Sequence, residues 1–254
     1  MNYLKKYLKT ISDRGNIKLS ESILKTSDDI GEKYIRSFPY TGHEIGLLFG
    51  NVQSGKTGQM FGIICKAADL GFPVFVLLTT DNIVLQQQTL ERVKEDLDGF
   101  CICGENDGGL FLANNLLRPV IIVLKKNVRI LKLWSNILNS TGFMRGNPLF
   151  IIDDEADAAS LNNLINRDKK SSVNRYLESI KDGASSSLYL QVTGTPQAIL
   201  LQTLASGWRP YFTYYFEPGN EYFGGNYFFP PNRKSDAVLY LEDINNPTRA
   251  VIIR

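Results

Sequence analysis

Six short apolar runs, each of strand length and separated by segments of helical periodicity, constrain this chain more than any other feature. They are "EIGLLF" (44–49), "PVFVLLT" (73–79), "GFCIC" (99–103), "RPVIIVL" (118–124), "PLFIID" (148–153) and "SLYLQVT" (187–193). Between them lie "GKTGQMFGIICKAADLG", "DNIVLQQQTLERVKEDL", "KNVRILKLWSNIL" and "RYLESIKD", which read as helices. Gly71 ends the first of these helices, and Asp81 is placed to cap the second. Strands apolar on both sides cannot face water, so the expectation is an α/β fold, a mostly parallel sheet with helices on both faces. Ahead of it, "NYLKKYLKTI" sets Leu4, Tyr7, Leu8 and Ile11 on one helical face with lysines opposite. Such a face can pack on its own domain, on a partner helix or on a membrane surface. Residues 20–36 read as a second helix and "SFPYTG" as a loop.

After Thr195-Pro196 the rhythm breaks into an aromatic, Gly- and Pro-rich stretch that can cover the sheet edge and core or stack bases. The closing "RAVIIR" reads as a strand that opens a further unit, so a fragment or a truncated relative of something longer is expected. The expected organisation is a small helical amino-terminal extension over 1–42, an α/β domain over 43–216 and an aromatic extension over 217–254.

The first apolar run ends in Gly50-Asn51-Val52-Gln53-Ser54-Gly55-Lys56-Thr57, which fits G-x-x-x-x-G-K-[ST] at every fixed position. A strand precedes it and a helix follows, as a P-loop requires. By chance alone such a match arises in roughly one chain in a hundred of this length. The glycines let successive N–H groups curl around phosphate oxygens, and the helix adds its positive end. Lys56 would reach the β- and γ-phosphates of ATP, and Thr57 would hold Mg²⁺. Gly50, Gln53, Ser54, Gly55, Lys56, Thr57 and Gly58 are the expected nucleotide-binding residues.

A P-loop needs an acidic partner at the end of a neighbouring strand. "LFIIDDEADAAS" supplies one: Phe150, Ile151 and Ile152 read as buried strand, delivering Asp153, Asp154, Glu155 and Asp157 at its carboxyl end, where open α/β sheets bind ligands. Consecutive carboxylates there would repel one another without a cation.

Asp154-Glu155-Ala156-Asp157 resembles the D-E-A-D motif of superfamily-two helicases. That resemblance implies a RecA-like P-loop domain in which Lys56, Asp154 and Glu155 form the catalytic set. Asp154 would order Mg²⁺, and Glu155 would be the base that orients the attacking water. "VTGTP" resembles the helicase S/T-A-T segment, so Asp157, Thr193 and Thr195 become candidates for coupling the nucleotide state to movement. In order, "GNVQSGKT", "QQQTLERV", "VLKKNVRILKLW", "IIDDEADAASLN", "VTGTPQAILL" and "EYFGG" resemble the signature segments of the Z-one domain. That family is described as endonucleases and occurs with restriction and phage-defence genes in bacteria. Gly194 stands where the family favours alanine, and the second helicase half with its arginine finger is not found. The resemblance implies DNA, a second RecA-like domain and defence proteins as partners. It also implies an ATP hydrolase that this chain alone runs weakly or not at all. A nucleotide-gated module that switches partners without translocating is the rival reading.

In such motors a strand crosses the carboxyl ends of the sheet. Gln88, Thr89 and Arg92 on the helix after the second strand, and Lys125, Lys126 and Asn127 after "VIIVL", are the candidates to face its phosphates. Read without the resemblance, they are solvated surface and an ordinary polar loop. The chain offers no nuclease chemistry of its own: an Asp followed by a strand carrying Glu-x-Lys is not found, and one histidine permits no His-Asn-His site. A net charge of +2 selects no partner, and three cysteines without zinc spacing suit a reducing cytoplasm. No apolar run has the length of a membrane span.

Overall fold

In the computed structural model the described residues are 2–51, 55–140, 142–157, 171–197, 199–200 and 209–217. Helices α1 (Tyr3–Asp13) and α2 (Ile17–Ile30) come first, and α2 runs on into a π-turn, Gly31–Ile35. Strands β1 (His43–Phe49), β2 (Val74–Thr79), β3 (Cys101–Cys103), β4 (Val120–Lys125), β5 (Pro148–Asp154), β6 (Ser186–Thr193) and β7 (Phe212–Tyr215) follow. Between them lie α3 (Lys56–Asp69), α4 (Ile83–Asp96), α5 (Gly108–Asn114), α6 (Val128–Ser140) and α7 (Ser172–Asp182). The strands form one sheet in the order β3-β4-β2-β5-β6-β1-β7, and every neighbouring pair is parallel. This is the doubly covered parallel sheet that the continuous apolar runs implied.

The alternation of side chains divides the core into two layers. Phe75, Leu77, Phe150, Ile152, Leu188 and Leu190 face α1 to α4, in contact with Ile23, Met60, Phe61 and Val93. Val74, Val76, Leu149, Ile151 and Tyr189 face the other way, onto Phe111, Leu131, Trp134, Leu177 and Ile180 of α5 to α7. Both layers are fully buried, which is why the central strands read as unbroken apolar runs.

The amphipathic face of α1 packs on its own domain. Leu4, Tyr7 and Ile11 are buried in the first layer, and the Tyr7 hydroxyl donates to the carbonyl of Gly58 at 3.4 Å. Asp69, in the last turn of α3, accepts from the backbone N–H groups of Tyr3 and Leu4 at 2.8 and 3.0 Å. A carboxylate there also complements the α1 dipole. The residues read as an amino-terminal extension therefore share the core of the domain behind them. Among the described residues no helix is long and apolar enough to cross a membrane.

One sequence expectation changes. The α4 cap is Asn82, whose Oδ1 accepts from the N–H groups of Val84 and Leu85, and not Asp81. The aromatic stretch contributes β7, a strand on the edge beside β1. Gly46 makes room for it, since a Cβ there would meet the Phe212 ring at 2.3 Å.

Helices α2 and α3 meet closely at Gly62, where a Cβ would lie 2.4 Å from Ile23 Cγ2 and 2.5 Å from Ser27 Oγ. In an open helix Gly→Ala gains about 1 kcal/mol, whereas overpacking a core costs about 1–3 kcal/mol. Gly62→Ala should therefore lower the urea midpoint, and a raised midpoint would refute the close α2–α3 approach.

Candidate functional site

Because all the strands run parallel, their carboxyl ends open on one edge of the sheet. β1 ends there at Phe49, and the Gly50 N–H reaches the carbonyl of Thr193 at 3.4 Å. A Cβ on Gly50 would strike the Phe216 ring at 2.3 Å, so this first glycine of the G-x-x-x-x-G-K-T run lets the chain leave the sheet beneath an aromatic ring. Gln53 and Ser54 lie outside the described residues. The loop closes at Gly55, whose φ of +89° suits glycine, and Lys56 begins α3. Thr57 and Gly58 continue the first turn, at the end of the helix whose dipole favours an anion.

Strand β6 lies between β1 and β5, yet the ends of those strands converge. Lys56 Nζ stands 3.9 Å from Glu155 Oε1, with the lysine side chain 11% exposed and the glutamate 47%. The consecutive acidic residues have separate surroundings. Asp153 is buried; its Oδ1 accepts from Lys126 Nζ at 2.9 Å and its Oδ2 from the Tyr189 hydroxyl at 2.7 Å. Asp154 Oδ1 accepts from the Glu155 backbone N–H at 3.1 Å. Burial, and then the Glu155 charge, push its carboxyl up to about 6, against the opposing pull of Lys126 and Lys56. Glu155 takes a left-handed backbone with φ +52°, unusual for a residue with a Cβ. The cation that the sequence seemed to require is thus partly supplied by the chain itself.

Asp157 meets the threonines at the end of β6. Its Oδ1 accepts from Thr193 Oγ1 at 2.8 Å, and its Oδ2 accepts a very short bond from Thr195 Oγ1. Thr193 Oγ1 also accepts from the Thr195 N–H at 2.9 Å. Burial raises the Asp157 carboxyl, but these hydroxyl donors outweigh it and hold the group below its ordinary value. The expected trio is therefore one bonded unit, joining the acidic turn to the neighbouring strand.

The residues expected to face a nucleic-acid strand divide. Gln88 and Arg92 are exposed on α4, with the Arg92 guanidinium 5.9 Å from the centre of the Phe61 ring. Thr89 donates back into its own helix, to the Leu85 carbonyl at 2.8 Å. Lys125 pairs with Glu105 at 3.7 Å, and Asn127 donates to Asp81 at 3.2 and 3.4 Å. Lys126 is a correction: it is 2% exposed, and its ammonium donates to Asp153 and to the carbonyls of Asp154 and Glu155, so it does not face a strand. Beside this loop, Lys125, Arg129 and Lys132 line an open cleft with Asn106, Asn127 and Asn136. Sequence reasoning missed Lys126 and Tyr189 as supports of the acidic turn. The only hint was a lysine directly after an apolar strand.

No protein-family model matches the chain, and no curated protein matches it in sequence. The resemblance to the Z-one domain therefore rests on its short segments alone. Among solved structures, the Pyrococcus furiosus Hef helicase domain is 16% identical over 75% of this chain and 37% of its own, with a TM-score of 0.47. The Aeropyrum pernix ORC2 protein in its ADP form is 13% identical over 75% of this chain and 47% of its own, with a TM-score of 0.40. Its ADPNP-ADP complexes give the same identity and coverage with a TM-score of 0.38. The chain spans less than half the length of each, and likeness at this level carries no functional argument.

The Asp154 environment has a consequence for pH. A carboxyl that titrates near 6 when folded and near 3.8 otherwise binds more protons in the folded state. It therefore lowers stability as pH rises through that window, by up to about 3 kcal/mol. Asp154→Asn should stabilise the nucleotide-free chain at pH 7.5 and have little effect near pH 4. Denaturant titrations of both proteins at both pH values test this, and a less stable variant at pH 7.5 would contradict it.

Proposed function

We propose that the chain is the ATP-binding domain of a DNA-directed translocase of superfamily-two type, with a role in restriction or phage defence as the Z-one resemblance implies. The observation that carries the nucleotide reading is the approach of Lys56 to Glu155 at 3.9 Å, between residues distant in sequence and beside Asp154 at the common edge of the strands. In the absence of a phosphate, a P-loop lysine pairs with the nearest anion, and here that anion is the proposed base. A γ-phosphate would compete for Lys56 and leave the Glu155 carboxylate to orient a water.

The donors fit Mg²⁺. The Thr57 hydroxyl and the Asp154 carboxylate are hard oxygen ligands, and the raised Asp154 carboxyl, half-buried beside Glu155, is a group that a cation would relieve. Among the described residues no group of three or more His, Cys, Asp or Glu could hold an ion alone, so the nucleotide and water would supply the remaining ligands. When bound, Mg²⁺ neutralises phosphate charge. The chain's own part is to cradle the phosphates, place Lys56 on them and hold Glu155 toward the water. The Asp157–Thr193–Thr195 unit would carry a change at the phosphate into β6. A second RecA-like domain would supply the arginine that completes the site, so this chain alone is expected to hydrolyse ATP slowly.

The rival is a nucleotide-gated module that changes partners without moving along DNA. It is favoured by the internal engagement of Lys125, Lys126 and Asn127, which leaves fewer donors for a strand. In a protein that includes the second RecA-like domain, ATPase rates with and without single-stranded and duplex DNA separate the two, since only the translocase reading requires stimulation.

Within the site the residues should divide by role. Lys56→Ala should fold and lose about 10- to 100-fold in ATP affinity, as expected for charge-assisted contacts of about 1.5–3 kcal/mol. Glu155→Gln should bind ATP as before and stop turnover. Fluorescent-nucleotide titration and phosphate release check both. Unchanged affinity in folded Lys56→Ala would remove the phosphate-loop reading, and continued turnover in Glu155→Gln would remove the base assignment.

A further inference from the structure

The loop after β4 is tied to three other strand ends by three consecutive residues. Lys125 pairs with Glu105 beyond β3, through its ammonium at 3.7 Å and its backbone N–H at 3.1 Å. Asn127 donates to Asp81 beyond β2 and caps α6 by accepting from the Arg129 N–H at 3.0 Å. Between them Lys126 is fixed at both ends. Its backbone N–H donates to the Thr79 carbonyl at 3.0 Å, and its side chain crosses the end of β2 to the acidic turn.

The ammonium does more there than balance a charge. One donor serves Asp153 Oδ1 at 2.9 Å, which an ion pair alone would explain. The other two go to the carbonyls of Asp154 and Glu155, each at 2.8 Å, and carry no charge compensation. A lysine ammonium has three donors, and all three are used on this one turn. The two carbonyls flank the backbone of Glu155, the residue held at φ +52°. A left-handed conformation in a residue with a Cβ persists only where its surroundings impose it. The Ala156 N–H, which donates to the Val192 carbonyl at 3.0 Å, fixes the far side of the turn.

We infer that Lys126 is a positioning residue for hydrolysis, whose bonds to the two carbonyls hold the acidic turn so that Glu155 is aimed at the phosphate site beside Lys56. The inference rests on the proposed ATP site.

The test is a paired variant. Lys126→Met alone leaves Asp153 buried without its cation and can fail to fold. Lys126→Met combined with Asp153→Asn removes both charges, keeps an acceptor for Tyr189 and deletes the bonds to the two carbonyls. The binding of fluorescent ADP with Mg²⁺ and the single-turnover rate of ATP hydrolysis are measured for this variant, the unaltered chain and Glu155→Gln. ADP affinity within about threefold of the unaltered chain is expected, with a hydrolysis rate at least tenfold lower and close to that of Glu155→Gln. A folded paired variant that hydrolyses at the unaltered rate overturns the inference. So does one that loses ADP affinity as steeply as hydrolysis, because Lys126 would then support the whole site. An unaltered chain no faster than Glu155→Gln leaves nothing to position and counts against it too. If the unaltered chain binds no ADP, the ATP-site reading itself fails, and that outcome is distinguishable from the others.

Discussion

The strands of this sheet all point the same way, and the site follows from that constraint. A parallel sheet gathers the carboxyl ends of β1, β5 and β6 on one edge, so a glycine-rich loop, an acidic turn and a pair of threonines meet although they are far apart in the chain. The strand order sets the spacing. With β6 between β1 and β5, Thr193 stands next to both Gly50 and Asp157, and Lys56 approaches Glu155 over the end of β6. An antiparallel partner at any of these positions would have carried its residues to the opposite edge.

A cluster of carboxylates on that edge is costly to fold without compensation. The chain meets the cost unevenly. Asp153 receives a buried ammonium and a phenol hydroxyl, Asp157 receives two threonine hydroxyls, and Asp154 is left half-buried with its carboxyl pushed up to about 6. Breaking a buried pair such as Lys126–Asp153 by removing one partner typically costs about 3–5 kcal/mol, whereas replacing both by apolar groups can be neutral. Stability alone therefore does not explain why an ion pair stands there. Its two extra bonds to backbone carbonyls give it a geometric role.

Much of this was legible in the residues because burial leaves a plain signal. Strands β2, β4, β5 and β6 have both faces covered, so they appear as continuous apolar runs, and G-x-x-x-x-G-K-T and D-E-A-D fall at strand ends on one edge. β7 was harder to see. As an edge strand it buries Phe212 and exposes Thr213, and its aromatic composition pointed to a cover for the sheet edge without showing a strand. Lys126 was legible as a lysine after a strand, but not as a buried one. A lysine beside another lysine after a strand looks like surface, and its burial depends on Asp153, which reaches it only through the order β4-β2-β5. Asp81 and Asn82 could be told apart only by which side chain turns toward α4 and which toward Asn127.

The central claim is that the loop at Gly50–Thr57 and the turn at Asp154–Glu155 form one nucleotide site. Calorimetric titration of the chain with ATP, in the presence and absence of Mg²⁺, addresses it most directly. The account predicts one site per chain, with affinity that rises on adding Mg²⁺ and falls as the pH drops through about 6, where the Asp154 carboxyl takes up its proton. Binding that ignores both Mg²⁺ and this pH window, or no binding at all, would contradict it.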